Sequence, residues 1–143
     1  MKTSEALKPK TKSLRKPVLL GLFAGTAVGA GYLLSSVPNV ELMSLIIALS
    51  GAVLGPVAGT LCGVLAGAIF SLGNPFGPPP PVLLLAQVMG HGSMGLLGWV
   101  FGKHILRNPV GNGFLRGPLW AFLAAISGTL VFEVHTNLAI VAM

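Results

Sequence analysis

The chain has 143 residues, of which 53% are hydrophobic and only 8% charged, and its mean hydropathy is +0.85. About 25% of the residues of a water-soluble domain are charged, so this composition excludes an ordinary soluble fold and predicts an all-α membrane protein. The single cysteine, Cys62, excludes a disulfide within the chain and a metal cluster built on several thiolates.

The charges are confined to a few short segments. No Asp, Glu, Lys or Arg occurs in the 61 residues from Leu42 to Gly102. Six of the nine cations precede the first apolar segment (Lys2, Lys8, Lys10, Lys12, Arg15, Lys16), and the other three (Lys103, Arg107, Arg116) fall in one later loop. Because cytoplasmic loops of membrane proteins are enriched in Lys and Arg, we assign the net charge of +6 to orientation in the cytoplasmic membrane, with the N-terminus inside, and not to a nucleic-acid partner.

The N-terminal half predicts a basic tail followed by three spans. Residues 1–17 form the cytoplasmic tail, and residues 18–143 form the transmembrane bundle. The first span is 18–37, an uncleaved helix because no good signal-peptidase site follows it. Pro38 then breaks the apolar run. The second and third spans, 42–54 and 57–72, are short and are joined by a tight turn at Gly55-Pro56.

The C-terminal half predicts two further spans, which makes a polytopic bundle of about five helices. The proline-rich segment from Gly73 to Pro81 is a loop, since consecutive prolines lack backbone donors. The fourth span is 82–101 and the fifth is 118–134. Four spans therefore separate the two basic clusters, as their common cytoplasmic location requires. We expect residues 135–143 to be an external loop or the start of another helix.

Glycines recur every four residues in two places. Gly51, Gly55, Gly59, Gly63 and Gly67 follow the second and third spans, and Gly21, Gly25 and Gly29 follow the first. Small residues at this spacing let helix backbones approach each other in lipid. We expect the longer series to serve packing inside the bundle. The shorter series has two open interpretations, which are internal packing and a docking face for another subunit.

Polar residues in an apolar chain are candidates for function. Seven of them converge near the outer end of the predicted bundle: Asn39, Glu41, Asn74, Gln87, His91, Glu133 and His135. Gln87 and His91 share one helical face because they are four residues apart. This convergence predicts an outward-facing pocket for a small molecule. The alternatives are that Glu41 caps its helix, that Glu133 pairs with His135 or His91, and that Gln87 only bridges helices.

Catalytic motifs are missing from the sequence. It contains no phosphate-binding glycine loop, no His-Glu-x-x-His sequence and no serine with an obvious neighbouring base. The three histidines have no metal-ligand spacing. We therefore expect neither an enzyme nor a cofactor, and transport would take its energy from an ion gradient or a partner.

Three sequence motifs together resemble a known family. These are Val37-Pro38-Asn39-Val40-Glu41, the turn Leu54-Gly55-Pro56 followed by Gly59 and Gly63, and Ser71-Leu72-Gly73-Asn74-Pro75-Phe76-Gly77 before a Gln-bearing helix. Over residues 18–134 the chain resembles the substrate-binding S components of energy-coupling factor (ECF) type ABC importers.

The resemblance implies a fold, a function and partners. S components are six-helix bundles that capture a vitamin or related micronutrient at the outer face and associate with a transmembrane coupling subunit and two ATPase subunits. It also implies that the stretch with Gly21, Ala24, Gly25 and Gly29 docks the coupling subunit. The family's sixth helix is missing here or reduced to residues 137–143.

Two other functions stay open on the sequence alone. The first is a non-transporting membrane subunit that stabilises or assembles a larger complex, with polar residues that only bridge helices. The second is a small proton-coupled permease, which Glu133 and His91 suggest.

Overall fold

A computed structural model describes residues 11–36, 42–107 and 116–142, and the regular structure within these ranges is helical throughout. The helices are α1 (Thr11–Leu34), α2 (Leu42–Leu54), α3 (Pro56–Leu72), α4 (Pro81–Arg107) and α5 (Arg116–Val141). The all-helical expectation is thus confirmed for the described part of the chain.

Three of these helices are long and apolar enough to cross a membrane. Their apolar segments are Leu14–Leu34, Pro81–His104 and Leu119–Val141. The helices α2 and α3 have 13 and 17 residues, so at about 1.5 Å per residue they are shorter than the roughly 30 Å hydrocarbon core of a bilayer. Each helix also exposes leucines, which are 45% to 65% accessible at Leu22, Leu45, Leu65, Leu85 and Leu138.

The helix bounds differ from the predicted spans mainly at the ends. α2 has the predicted bounds, whereas α4 continues past residue 101 to Arg107 and α5 continues past residue 134 to Val141. Residues 135–141 are therefore neither an external loop nor a separate helix. No Gly or Pro follows Val134 to interrupt α5, and loss of hydrophobicity alone does not end a helix. No sixth helix occurs within the described residues.

The turn between α2 and α3 depends on two adjacent residues with special backbone geometry. Gly55 has φ +97°, a left-handed value that a side chain would strain, and its N–H donates to the Gly51 carbonyl at 3.0 Å. Pro56 then occupies the first position of α3, where its missing N–H costs nothing. The chain therefore reverses without a loop, and α2 and α3 form a helical hairpin.

The helical hairpin packs on α4 by direct backbone contact. A Cβ atom added to Gly51 would overlap the Gly95 carbonyl group, and one added to Gly63 would overlap the carbonyl group of His91. Gly59 lies equally close to Gly51. The internal packing expected of Gly51, Gly59 and Gly63 is therefore observed, while Gly55 forms the turn instead. Helices approach this closely only where side chains are absent.

The remaining helices flank this centre on opposite sides. α1 packs against α2 and α3, and α5 packs against α4 alone among the described helices. The end of α1 is held to the end of α3, because the Tyr32 hydroxyl donates to the Ile69 carbonyl at 3.2 Å and the Tyr32 ring lies 5.2 Å from that of Phe70. The ends of α1 and α3 therefore lie together at one end of the bundle.

We expect Gly95→Ala to destabilise the protein, because the new methyl group would overlap the Gly59 carbonyl oxygen. Overpacking of this kind costs about 1–3 kcal/mol. The measurement is thermal unfolding in a mild detergent. The matched control is Gly25→Ala, since Gly25 is exposed and no atom lies within 4 Å of its added Cβ. Equal melting temperatures for the two variants would contradict the backbone contact.

Candidate functional site

A cleft of about 790 Å³ opens at the end of the bundle where α1 and α3 end. Its lining comes from the last turns of α1, the first turns of α2, the end of α3, the first half of α4 and much of α5. The cleft lies beside α5, which packs against α4 alone among the described helices and not against α1, α2 or α3. Gly90 of α4 faces the Phe132 ring, and Gly128 of α5 faces the Met94 side chain. Side chains therefore form part of the contact between α4 and α5.

Gln87 and His91 form the polar centre of the cleft. The Ser71 hydroxyl donates to Gln87 Oε1 at 2.8 Å, which joins the end of α3 to α4. His91 is 6% exposed, and its Nδ1 lies 2.7 Å from the Gln87 carbonyl oxygen. A carbonyl only accepts, so Nδ1 carries the proton. The Phe132 ring lies edge-on to the imidazole at 5.0 Å, so α5 also holds His91 in place.

Glu133 supplies a carboxylate at the α5 side of the cleft. Its Oε2 accepts a hydrogen bond from the Asn137 amide at 3.1 Å, one turn further along the same helix. Within the described part of the chain, no Lys or Arg lines the cleft. The cations with described side chains are Arg15, Lys16 and Lys103, which lie near the start of α1 and the end of α4. The carboxylate and these cations therefore occupy opposite ends of the bundle.

Asn74 shapes the loop at the mouth of the cleft. Its Oδ1 accepts a hydrogen bond from the Phe76 backbone N–H at 2.9 Å, and its carbonyl accepts one from Gly77 N–H at 2.9 Å. Gly77 ends this turn with a positive φ of +101°, which glycine adopts without strain. It holds Phe76 at the cleft, although the Phe76 side chain is 79% exposed.

The structure brings together four of the seven predicted site residues. Asn74, Gln87, His91 and Glu133 all line the one cleft. His135 does not line it, and its Nδ1 donates to the Val131 carbonyl at 2.6 Å. Residues that are two positions apart in a helix differ in direction by about 200°. His135 and Glu133 therefore project from different faces of α5. Asn39 and Glu41 lie outside the described residues.

Sequence reasoning missed other residues that line the cleft, chiefly Ser71, Thr129, Phe70, Phe132 and Met94. Ser71 had a detectable signal, because it ends an apolar helix next to the loop that carries Asn74. Thr129 had none, since a hydroxyl in an apolar helix commonly bonds to its own backbone, as Thr129 does with the Ala125 carbonyl at 3.1 Å. Phe70, Phe132 and Met94 read as ordinary lipid-facing or core residues.

The predicted docking stretch of α1 divides between two faces. Gly21, Gly25 and Gly29 lie on the outer surface, and no atom comes within 4 Å of a Cβ added to any of them. Ala24 is only 6% exposed and belongs to the hydrophobic core with Ala27. The sequence leaves two interpretations of Gly21, Gly25 and Gly29, which are internal packing and a docking face. Packing of these glycines against the described residues is therefore excluded. Ala24 serves that packing and does not share the outer face.

The end of the bundle opposite the cleft carries aromatic and basic side chains in contact. Lys103 Nζ lies 3.6 Å from the centre of the Trp99 ring, a cation–π contact. The His104 ring stacks on Trp120 at 4.3 Å with an interplanar angle of 16°. Tryptophan and Lys at helix ends are typical of a membrane–water interface.

Comparison of the chain with protein-family models, curated proteins and solved structures finds no match. Among the described residues, no group of three or more His, Cys, Asp or Glu side chains is placed to hold a metal ion. The class of protein therefore has to be argued from the cleft and the charge distribution.

A double-mutant cycle tests the Ser71–Gln87 hydrogen bond. We expect Ser71→Ala and Gln87→Leu to show a coupling free energy of about 0.5–1.5 kcal/mol, because each removes the same bond between α3 and α4. The measurement is unfolding in mixed micelles with increasing SDS. The control cycle pairs Gln87→Leu with Ser93→Ala, whose hydroxyl bonds only to the Met89 carbonyl of its own helix. Additive effects in the first cycle would contradict this hydrogen bond.

Proposed function

We propose that this chain is a multi-pass protein of the cytoplasmic membrane whose cleft opens to the outside. The distribution of charge supports this orientation. The described cations Arg15, Lys16 and Lys103 belong to the end of the bundle opposite the cleft, and Lys and Arg are retained on the cytoplasmic side. The contact of Lys103 with Trp99 fits an inner interface at that end. On this orientation α2 and α3 also cross, tilted or in a locally thinned bilayer.

The proposed activity is capture of a small molecule from outside the cell. One observation carries this proposal, namely that Asn74, Gln87, His91 and Glu133 line a single cleft although they come from three separate parts of the chain. A volume of about 790 Å³ lies within the range of roughly 300–1,000 Å³ that is usual for ligand pockets. The rest of the lining is largely apolar, which is also usual for such sites.

Within this class we propose the S component of an ECF-type ABC importer for a vitamin or related micronutrient. The support is the resemblance of the sequence motifs together with the position of the cleft. The partners would be a transmembrane coupling subunit and two ATPase subunits, which supply the energy. The outward series Gly21, Gly25 and Gly29 offers a surface on which another membrane helix can approach closely.

A non-transporting assembly subunit is the second candidate, and one observation favours it. The exposed glycines on α1 suit contact with a partner whether or not the cleft binds a ligand. A proton-coupled permease is the third, because Glu133 and His91 line the same cleft. Uptake driven by a pH gradient in proteoliposomes without an ATPase would favour the permease.

Ligand capture is tested by thermal unfolding of the purified protein with thiamine, choline, riboflavin, pyridoxine, biotin and pantothenate, without ATP. At about 100 times its Kd a ligand stabilises the folded state by about 2.7 kcal/mol, so we expect a clear rise in melting temperature with one compound. Gln87→Ala should weaken this effect, because Gln87 lines the cleft.

The matched control is Met89→Ala, since Met89 lies on the same helix but is 59% exposed outside the cleft lining. It should keep the full ligand effect. A flat response across the compounds, with partner proteins that co-purify, would favour the assembly subunit over capture.

Orientation is tested by cysteine labelling of intact cells in a Cys62→Ala background. Phe76 lies in the loop at the cleft, and Lys103 lies at the opposite end of α4. We expect a membrane-impermeant maleimide to label Phe76→Cys and to label Lys103→Cys only after the cells are permeabilised. The reverse pattern would show that the cleft faces the cytoplasm.

A further inference from the structure

Hydroxyl groups in the cleft present mainly acceptors to a ligand. The hydroxyls of Ser35, Ser71 and Thr129 each donate their only proton within the protein, at 2.9, 2.8 and 3.1 Å. A hydroxyl oxygen that has donated its proton has only lone pairs left to offer. A molecule in the cleft therefore meets these side chains as hydrogen-bond acceptors.

The carboxylate of Glu133 adds a formal negative charge to these acceptors. The Asn137 amide donates only to Oε2, and an ionised carboxylate has lone pairs on both oxygens. Among the described residues that line the cleft there is no Lys or Arg to neutralise this charge. On α4, the described cation nearest to the cleft is Lys103. It lies 12 residues beyond His91, which corresponds to about 18 Å along the helix.

Donors lie at the other side of the cleft. Both Asn74 Oδ1 and Gln87 Oε1 already accept hydrogen bonds from the protein, at 2.9 and 2.8 Å. Their amide nitrogens are the groups left to donate to a ligand. The cleft is therefore polarised, with a negative charge on α5 and amide donors where α3 and its following loop meet α4. Apolar and aromatic side chains, among them Phe70 and Phe132, line the same cleft.

We infer that the cleft selects an organic cation, in which a positively charged amine or ammonium group meets Glu133 and a planar, acceptor-bearing body meets the amides of Gln87 and Asn74. This inference rests on the proposed function, because it names the substrate class of the same site. It assigns recognition of charge to Glu133. A hydrogen bond between opposite charges is about twice as strong as a neutral one, so charge dominates selection among ligands of equal shape.

Three probes with the same ring and different charges test this inference. They are 1-methylnicotinamide, a permanent cation, nicotinamide, which is neutral, and nicotinate, an anion. We expect the full-length protein in nanodiscs of neutral lipid to bind the cation about tenfold more tightly than the other two, because Coulomb attraction to the Glu133 carboxylate favours a positive charge even where the charged nitrogen carries no hydrogen. Binding is measured by titration calorimetry at low ionic strength.

Two variants separate the local carboxylate from the overall charge. Glu133→Gln should bring the affinity for 1-methylnicotinamide down to that for nicotinamide. Arg15→Gln also changes the charge of the protein by one unit, but on the exposed surface at the far end of α1, and it should keep the tenfold preference.

The outcomes also separate this inference from the proposed function. Equal binding of the three probes, no binding of any of them, or an unchanged preference in Glu133→Gln would overturn the selection of cations. Ligand capture would still stand if riboflavin, biotin or another compound of the first set stabilises the protein through Gln87. If no compound of either set binds, both the inference and the proposed function fail.

Discussion

The contact of helix backbones between the α2–α3 hairpin and α4 is the interaction on which the rest of the structure depends. Gly51, Gly59, Gly63 and Gly95 bring carbonyl groups and Cα atoms of neighbouring helices together where any side chain would collide. In a membrane, lipid would supply no hydrophobic drive between helices, so van der Waals contact over such a surface would have to hold them. Because α5 packs against α4 and α1 packs against α2 and α3, this contact joins the two sides of the cleft.

The cleft follows from the way in which α5 joins the bundle. The α2–α3 hairpin contacts α4 along glycine backbones and also packs against α1, whereas α5 packs against α4 alone among the described helices. Because α5 does not pack against α1, α2 or α3, space is left that Gln87, His91 and Glu133 line. The molecule therefore has a cavity beside a tightly packed centre.

Polar groups in this apolar chain are stabilised by partners close to them in the sequence. His91, Thr129 and His135 each bond to the carbonyl four residues earlier in their own helix. Such bonds satisfy the donors without fixing a partner helix. The Ser71–Gln87 bond is different because it joins α3 to α4 and lines the cleft at once. Gln87 therefore bridges helices and faces the cleft, so the two interpretations of this residue are compatible.

The sequence by itself determined the features that depend on neighbours along the chain. Composition and the breaks at proline were enough to predict an all-helical chain, the bounds of α2, the Gly55-Pro56 turn and the proline-rich loop, because helix formation and its interruption are local. Only the tertiary structure decided which face meets which neighbour. Gly25 and Gly59 belong to series of the same spacing, yet one lies on the surface and the other in the bundle. Spacing determines which residues share a helical face, whereas the surroundings of that face depend on how distant helices pack. The packing of α5 on α4 therefore decided that Phe132, and not His135, reaches the cleft.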